Sequence, residues 1–207
     1  MDYFILSSPI SYARYINFQE RIRKKRKECV LVLEHTNSIT AGINSKKENL
    51  LINPQTLAQK GIEFHSIKRG GDFTAHEPGQ IVIYPHVDLK TRNIKLTQFL
   101  SLFQKLLIDS IELIWGLELV YLENKPGLYL KKDYSKKLIS FGFNFHSFFT
   151  SYGAAINFQN DLSTFSYINP CGDSSKNIVS IQSLGLDTNL KMDFILEFLQ
   201  SFHDTFS

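Results

Sequence analysis

Two spacings of apolar residues alternate along this chain. Tyr12, Tyr15, Ile16 and Ile22 recur at helical intervals after Ser11, whose side-chain oxygen suits a helix cap, so a helix is predicted over 11–27. Asn53-Pro54 combines a capping residue with proline at the first helical position and predicts a short helix to Lys60. Leu96 to Trp115 carries a longer amphipathic pattern, and Leu190, Phe194, Ile195, Phe198, Phe202 and Phe206 form a stripe on a closing helix after Asn189. Strand-like runs lie between: Cys29 to Glu34, Glu63 to Lys68, Gln80 to Val87, Leu117 to Leu122, Leu128 to Lys131, Lys137 to Phe145 and Gly153 to Phe158. The alternation is cleanest at Ile139, Phe141, Phe143 and Phe145, which period two places on one face. Strands outnumber helices and neighbour one another closely, which predicts the α/β class in its α+β form, a mixed sheet flanked by helices. No repeat or low-complexity linker divides the 207 residues, so one domain over 1–207 is expected.

Composition narrows the function classes. With 43% hydrophobic and 21% charged residues the chain reads as globular, and no apolar run approaches the roughly 18 residues a membrane helix needs, so no membrane partner is expected. The start lacks a positive segment before its short apolar stretch, which argues against a signal peptide and makes the cytoplasm the expected compartment. Cys29 and Cys171 are the only cysteines, and neither has zinc-ligand spacing, so neither a disulfide framework nor a metal site is expected. A net charge of +3 is by itself too small to argue for nucleic acid, and no aromatic-interleaved basic motif adds to it, so no nucleic-acid partner is expected. Arg21, Arg23, Lys24, Lys25, Arg26 and Lys27 crowd one segment, however, which fits a solvated helix end or a docking patch for an acidic protein.

Chemistry concentrates in two places. Cys171 sits in Ile168-Asn169-Pro170-Cys171-Gly172, and Lys137 begins the strand-like run that ends in Ser140-Phe141-Gly142. A lone thiol in a Pro/Gly turn, with an amine in a run that can fold back beside it, is raw material for a thiolate nucleophile with a cationic neighbour. Lys136 and Lys137 point to opposite faces, so only one can meet the thiol. Cys29 opens an apolar strand and reads as core. The second concentration is the run from Lys68 to Gln80, with three glycines, Arg69 and His76 between two strands. Glycines let a backbone approach a ligand closely, and Arg69 either holds an anion or braces the loop. Neither P-loop nor dinucleotide-binding glycine spacing is present.

Arg69-Gly70-Gly71, Thr74, His76, Pro78-Gly79-Gln80 and Tyr84-Pro85 resemble the Arg-Gly-Gly-x-x-Thr-Tyr-His-Gly-Pro-Gly-Gln pattern of lipoyl(octanoyl) transferases. Leu33-Glu34-His35, Glu48-Asn49-Leu50-Leu51, Pro126-Gly127-Leu128-Tyr129, Lys137 to Gly142, Gly153 to Asn157 and Ile168 to Gly172 follow in family order. The Arg-Gly-Gly loop recurs in lipoate and biotin ligases, whereas the cysteine motif with its upstream lysine marks the transferases. The resemblance implies a biotin/lipoate protein ligase-like catalytic domain that moves an octanoyl group from octanoyl-acyl carrier protein to a lysine of a lipoyl domain. Acceptors would be the lipoyl domains of 2-oxoacid dehydrogenase complexes and the glycine cleavage H protein. It implies Cys171 as the thioester carrier and Lys137 as its partner, with no cofactor. It assigns Arg69, Gly70, Gly71, Asp72, Phe73, Thr74, Ala75, His76, Ser140, Phe141, Gly142, Gly153, Ala154 and Ala155 to the acyl pocket. Ala75, Glu77 and Tyr152 depart from the pattern, which has tyrosine, glycine and histidine there. A carboxylate at Glu77 beside the pocket would raise the thiol pKa or pair with a cation, and Ala75 would widen the pocket. Tyr152 can donate a hydrogen bond but cannot become a cation near neutral pH. An ATP-dependent ligase and a non-catalytic acyl-binding module are the competing readings.

Overall fold

The structure is a computed structural model that describes residues 1–123, 125–170 and 175–207. In chain order the strands are β1 (Asp2–Ile5), β2 (Cys29–Leu33), β3 (Ser38–Ala41), β4 (Glu63–Ser66), β5 (Phe73–His76), β6 (Gln80–His86), β7 (Leu119–Leu122), β8 (Lys125–Leu130), β9 (Asp133–His146) and β10 (Phe149–Asn157). The helices are α1 (Tyr12–Lys25), α2 (Pro54–Gln59), α3 (Leu96–Trp115) and α4 (Lys191–Phe206). Ser11 Oγ accepts from Arg14 N at 3.2 Å and Asn53 Oδ1 from Gln55 N at 2.8 Å, so both predicted caps close their helices.

Seven strands form the larger sheet in the order β1-β2-β6-β10-β9-β8-β7, with only β1 and β2 parallel among its pairs. A smaller sheet runs β4-β3-β5, with β3 and β4 parallel. The architecture is therefore the predicted mixed α/β arrangement. Val30 and Val32 of β2 and Ile81 and Ile83 of β6 face one core with α3 and α4, while Leu31, Leu33, Val82 and Tyr84 face a second core with α1. Cover on both faces is why these central strands read as continuous apolar runs. The alternating phenylalanines of β9 share one face as predicted, and that face meets α3, with Phe143 edge-on to Phe103 at 5.3 Å. Fully burying such an aromatic contributes roughly 1.5–3 kcal/mol, so the α3 and α4 stripes dominate this half of the core.

Three strands went unpredicted. β1 is a four-residue edge strand, mostly exposed, with too little pattern to read. β3, Ser-Ile-Thr-Ala, is buried throughout because it is the central strand of the smaller sheet. β5 occupies part of the run read as a loop: Phe73 to His76 pairs antiparallel with β3, and the glycines before it turn the chain. Among the described residues no helix is long and apolar enough to cross a membrane.

Candidate active site

Where β5 meets the α1 face of the larger sheet, a cavity forms. Tyr12 of α1, Arg69, Thr74 and His76, Tyr84 of β6, Ser140 to Gly142 of β9 and Tyr152 to Ala155 of β10 line it. Alternation along β5 sorts the predicted residues. Thr74 and His76 face the cavity, whereas Phe73 and Ala75 pack into a third core with Ile39, Leu57 and Ile168. Ala75 therefore does not widen the cavity, and Asp72 does not line it. Asp72 accepts from Asn49 Nδ2 and, at 3.2 Å, from Lys46 N, fixing the turn after β3. Gly70 and Gly71 line a neighbouring space of about 230 Å³ with Phe141 and Gly142. The cavity itself holds about 20 Å³, room for one water-sized sphere, so an acyl chain must displace side chains to enter.

Arg69 braces the loop. Its Nε and Nη2 donate to Thr40 Oγ1 at 3.2 and 2.9 Å, Nη2 to Thr40 O at 2.8 Å and Nη1 to Gly70 O at 2.9 Å. Backbone bonds from Gly42 N to Asp72 O and from Gly70 N to Phe143 O tie the loop to both sheets. Close approach makes glycine necessary here: a Cβ on Gly142 would lie 2.7 Å from Arg69 Cδ, and one on Gly153 would overlap Ile83 O.

Buried polar groups make up the rest of the wall. His35 Nδ1 donates to Ile10 O at 3.2 Å and its Nε2 meets the Tyr84 hydroxyl at 3.0 Å, while burial lowers its pKa to about 4. Burial, helped by neighbouring His35, also holds His76 well below the ordinary histidine value. Its ring stacks on Tyr12 at 5.4 Å, and its Nδ1 lies 2.8 Å from Gln80 Oε1. Tyr152 has left-handed φ, 61°, which breaks the alternation of β10 and lets Tyr152 and Ala155 share the α1 core. Burial raises its pKa, so it stays a neutral phenol. Tyr12 and Tyr84 were not predicted as site residues. Tyr84 stands in a motif that carried the family resemblance, and that was the available signal.

Glu77 turns away from the cavity. It is buried and accepts from Asn160 Nδ2 at 2.8 Å, Leu162 N at 3.0 Å and Thr164 N at 2.6 Å, pinning the 160–164 segment. It lines no part of the cavity and pairs with no cation among the described residues.

Lys137 is buried on β9, three residues before the cavity wall. Its ammonium lies 5.6 Å from the Tyr129 ring centroid, and its stem crosses Gly127. Gly127 has φ +143°, and a Cβ there would overlap both Lys137 Cε and Ile139 O. The Pro126-Gly127-Leu128-Tyr129 motif is thus the cradle of this side chain. Lys136 is more exposed and reaches Lys176 O at 3.3 Å, which separates the two lysines as alternation predicted. Cys171 and Gly172 lie outside the described residues. The flanking chain is held on both sides: Asn169 N donates to Asn49 O at 2.8 Å, and Val179 N donates to Lys137 O at 3.0 Å. Cys29 is buried and its thiol is pushed up to about 12 by that burial, which excludes it as a thiolate near neutral pH.

The fold is that of the lipoyl and biotin protein ligase catalytic domains. The model of the lipoyl protein ligase A/B catalytic domain matches residues 10–203. The bipartite lipoate protein ligase of Thermoplasma acidophilum superposes with a TM-score of 0.76 at 14% identity, covering 98% of this chain and 83% of that one. The biotin protein ligase of Aquifex aeolicus in complex with biotin and ATP gives 0.56 at 13% identity, covering 98% and 69%. At such identities the likeness establishes the fold. In sequence, an octanoyltransferase of Leptospira interrogans is 50% identical over 92% of this chain and 89% of its own length. One from Parabacteroides distasonis is 36% identical over 84% and 78%. The chain belongs to the lipoyl(octanoyl) transferase family.

Proposed function

We propose that the protein transfers an octanoyl group from octanoyl-acyl carrier protein to a lysine of a lipoyl domain through a thioester on Cys171, with Lys137 as its acid and base. Acceptors are the lipoyl domains of 2-oxoacid dehydrogenase complexes and the glycine cleavage H protein. The observation that carries this reading is the seating of Lys137. A buried ammonium is costly, and here Gly127 gives it room while Tyr129 offers a ring face. Lys137 also bridges Ile178 in parallel, seven residues after Cys171 in the sequence. Elimination of Cys29 supports the assignment of the thiol.

In the first half-reaction the thiolate of Cys171 attacks the donor thioester carbon, and the carrier thiol leaves with a proton from Lys137. The two thioesters are nearly isoenergetic, so this step is readily reversible. The acceptor amine then attacks the acyl-enzyme, its proton passes through Lys137, and Cys171 leaves. The amide product is the more stable acyl derivative, so the sequence runs forward without ATP. Arg69 and the glycines hold the loop against the acyl chain, and Tyr12, Phe141 and Tyr152 supply side chains that yield to admit it.

Intact-mass spectrometry tests the proposal. Mixed with octanoyl-acyl carrier protein, the wild type gains one octanoyl mass, Cys171→Ala gains none, and added lipoyl domain takes the group without ATP. Absence of both adduct and product removes the proposal; product formed only with ATP and free octanoate would assign a ligase instead.

A further inference from the structure

The polar atoms of the cavity wall have fixed directions. Glu77 begins a hydrogen-bond chain, since a carboxylate accepts and does not donate. Asn160 turns its Nδ2 to Glu77 at 2.8 Å and its Oδ1 to Phe158 N at 3.0 Å, which settles its amide orientation. The same Nδ2 donates to Asn157 Oδ1 at 3.2 Å. Asn157 Oδ1 is therefore an acceptor and receives Gln80 Nε2 at 2.9 Å; that nitrogen also donates to Ala75 O at 3.2 Å. Gln80 is left with Oε1 toward His76, so the proton of His76 sits on Nδ1. In the neutral ring Nε2 is then a bare lone pair, with no hydrogen-bond partner among the described residues.

Two residues earlier on the same face of β5 stands Thr74. Its Oγ1 is buried without a partner. The cavity thus offers a hydroxyl free to donate and, one strand repeat along, a nitrogen that can only accept. A thioester carbonyl needs the first and an attacking amine needs the second. Lysine acylation requires both in one place, whereas the transfer of the acyl group onto Cys171 involves no N–H nucleophile.

We propose that His76 is the receptor for the acceptor lysine, its Nε2 taking a hydrogen bond from the amine N–H while Thr74 Oγ1 donates to the carbonyl oxygen under attack. This rests on the octanoyltransferase reading and assigns Glu77, Asn160, Asn157 and Gln80 as positioning residues for the tautomer. As the amine nitrogen bonds to the acyl carbon and the carbon–sulfur bond breaks, one amine proton passes to Lys137, which gave one up in the first half-reaction, and Cys171 leaves as the thiolate. His76 holds the remaining N–H and turns the nitrogen lone pair toward carbon. The groups facing His76 are Tyr12 from α1, His35 after β2, Arg69 of the loop, Tyr84 of β6 and Tyr152 of β10. Among the described residues none of these groups is a carboxylate that would favour the imidazolium.

The test separates the half-reactions. Octanoylation of the enzyme by octanoyl-acyl carrier protein and transfer from isolated octanoyl-enzyme to a lipoyl domain are timed by quenched mass spectrometry. His76→Leu should slow transfer about tenfold more than it slows acylation, the loss of one hydrogen bond, with His76→Gln recovering part of the difference. Thr74→Val should slow both steps alike. Gln80→Glu sets a carboxylate against Nδ1–H and favours the imidazolium, so its transfer rate relative to wild type should fall as pH drops from 8 to 6. Equal slowing of both steps by His76→Leu, or a flat ratio for Gln80→Glu, overturns the inference while leaving octanoyl transfer intact. A wild type that forms no octanoyl-enzyme overturns the underlying reading, and this inference with it.

Discussion

Replacing Glu77 with glycine, the residue of the family pattern, is expected to destabilise the protein rather than improve its pocket. Its carboxylate accepts from three N–H donors, at 2.8, 3.0 and 2.6 Å, and the Asn160 and Thr164 donors are buried. A hydrogen bond to a charged group contributes roughly 1.5–3 kcal/mol, and a buried donor left unmet costs about 1–3 kcal/mol. These terms overlap, because water entering the space left by the side chain would meet some donors, so the expected loss is about 3–5 kcal/mol. Trp115, the only tryptophan, packs against Phe158 two residues from Asn160 and reports unfolding of this region by fluorescence. Urea titration of wild type, Glu77→Gly and Glu77→Gln should place the glutamine variant between the other two, since an amide oxygen keeps some of the acceptors. A loss below about 1 kcal/mol for Glu77→Gly, within the range of ordinary surface changes, would refute the assignment of this carboxylate as a brace.

The buried histidines give the fold an acid limit. His35 and His86 titrate near 4 when folded against 6.5 in the reference state, so the unfolded chain binds more protons between those values and stability falls with pH. His76, held well below the ordinary value, adds a third such term, so from pH 7 to 5 the loss is about 2 kcal/mol for each of the three, read as a lower urea midpoint, and His86→Leu should remove about a third of the slope. Gly127→Ala would force Lys137 from its cradle: acyl-enzyme formation should drop about 100-fold, with a stability cost of roughly 1–3 kcal/mol. In the basic segment, Lys24 is engaged by Glu20, Arg26 by Asp88 and Lys27 by Asp2, which leaves Arg21, Arg23 and Lys25 for an acidic partner. Converting these three to glutamate should lower kcat/KM for the acyl carrier about tenfold at low salt and remove most of its salt dependence; an unchanged slope would mean that they do not steer encounter.

Local signals carried the helices well: Ser11 and Asn53 are caps whose partners lie two or three residues away, within reach of sequence reasoning. The β9 phenylalanines were legible for the same reason, because alternation is a property of neighbours. β3 and β5 were not, since what buries Ser38 and Thr74 is each other's strand and not any feature of their own run. The site divides along the same line. Arg69, Thr74, His76 and the β9 and β10 residues were found by motif, but a motif cannot say which way a side chain faces, and the pleat sends Phe73 and Ala75 elsewhere. Glu77 shows the limit most plainly, because its meaning depends on Asn160 and Thr164, far along the chain.

Gly142 and Gly153 set the width of the cavity with main chain rather than side chain: one presses on the Arg69 stem and the other on Ile83 O. A wall made this way cannot be moved by mutation at those positions without parting strands. On the proposed function, any drift in the length of acyl chain accepted passes through the side chains of the wall, Tyr12, Phe141 and Tyr152 among them. Tyr152 is the one of the three where this chain already departs from its family, so changes in substrate choice within the family should leave their record there.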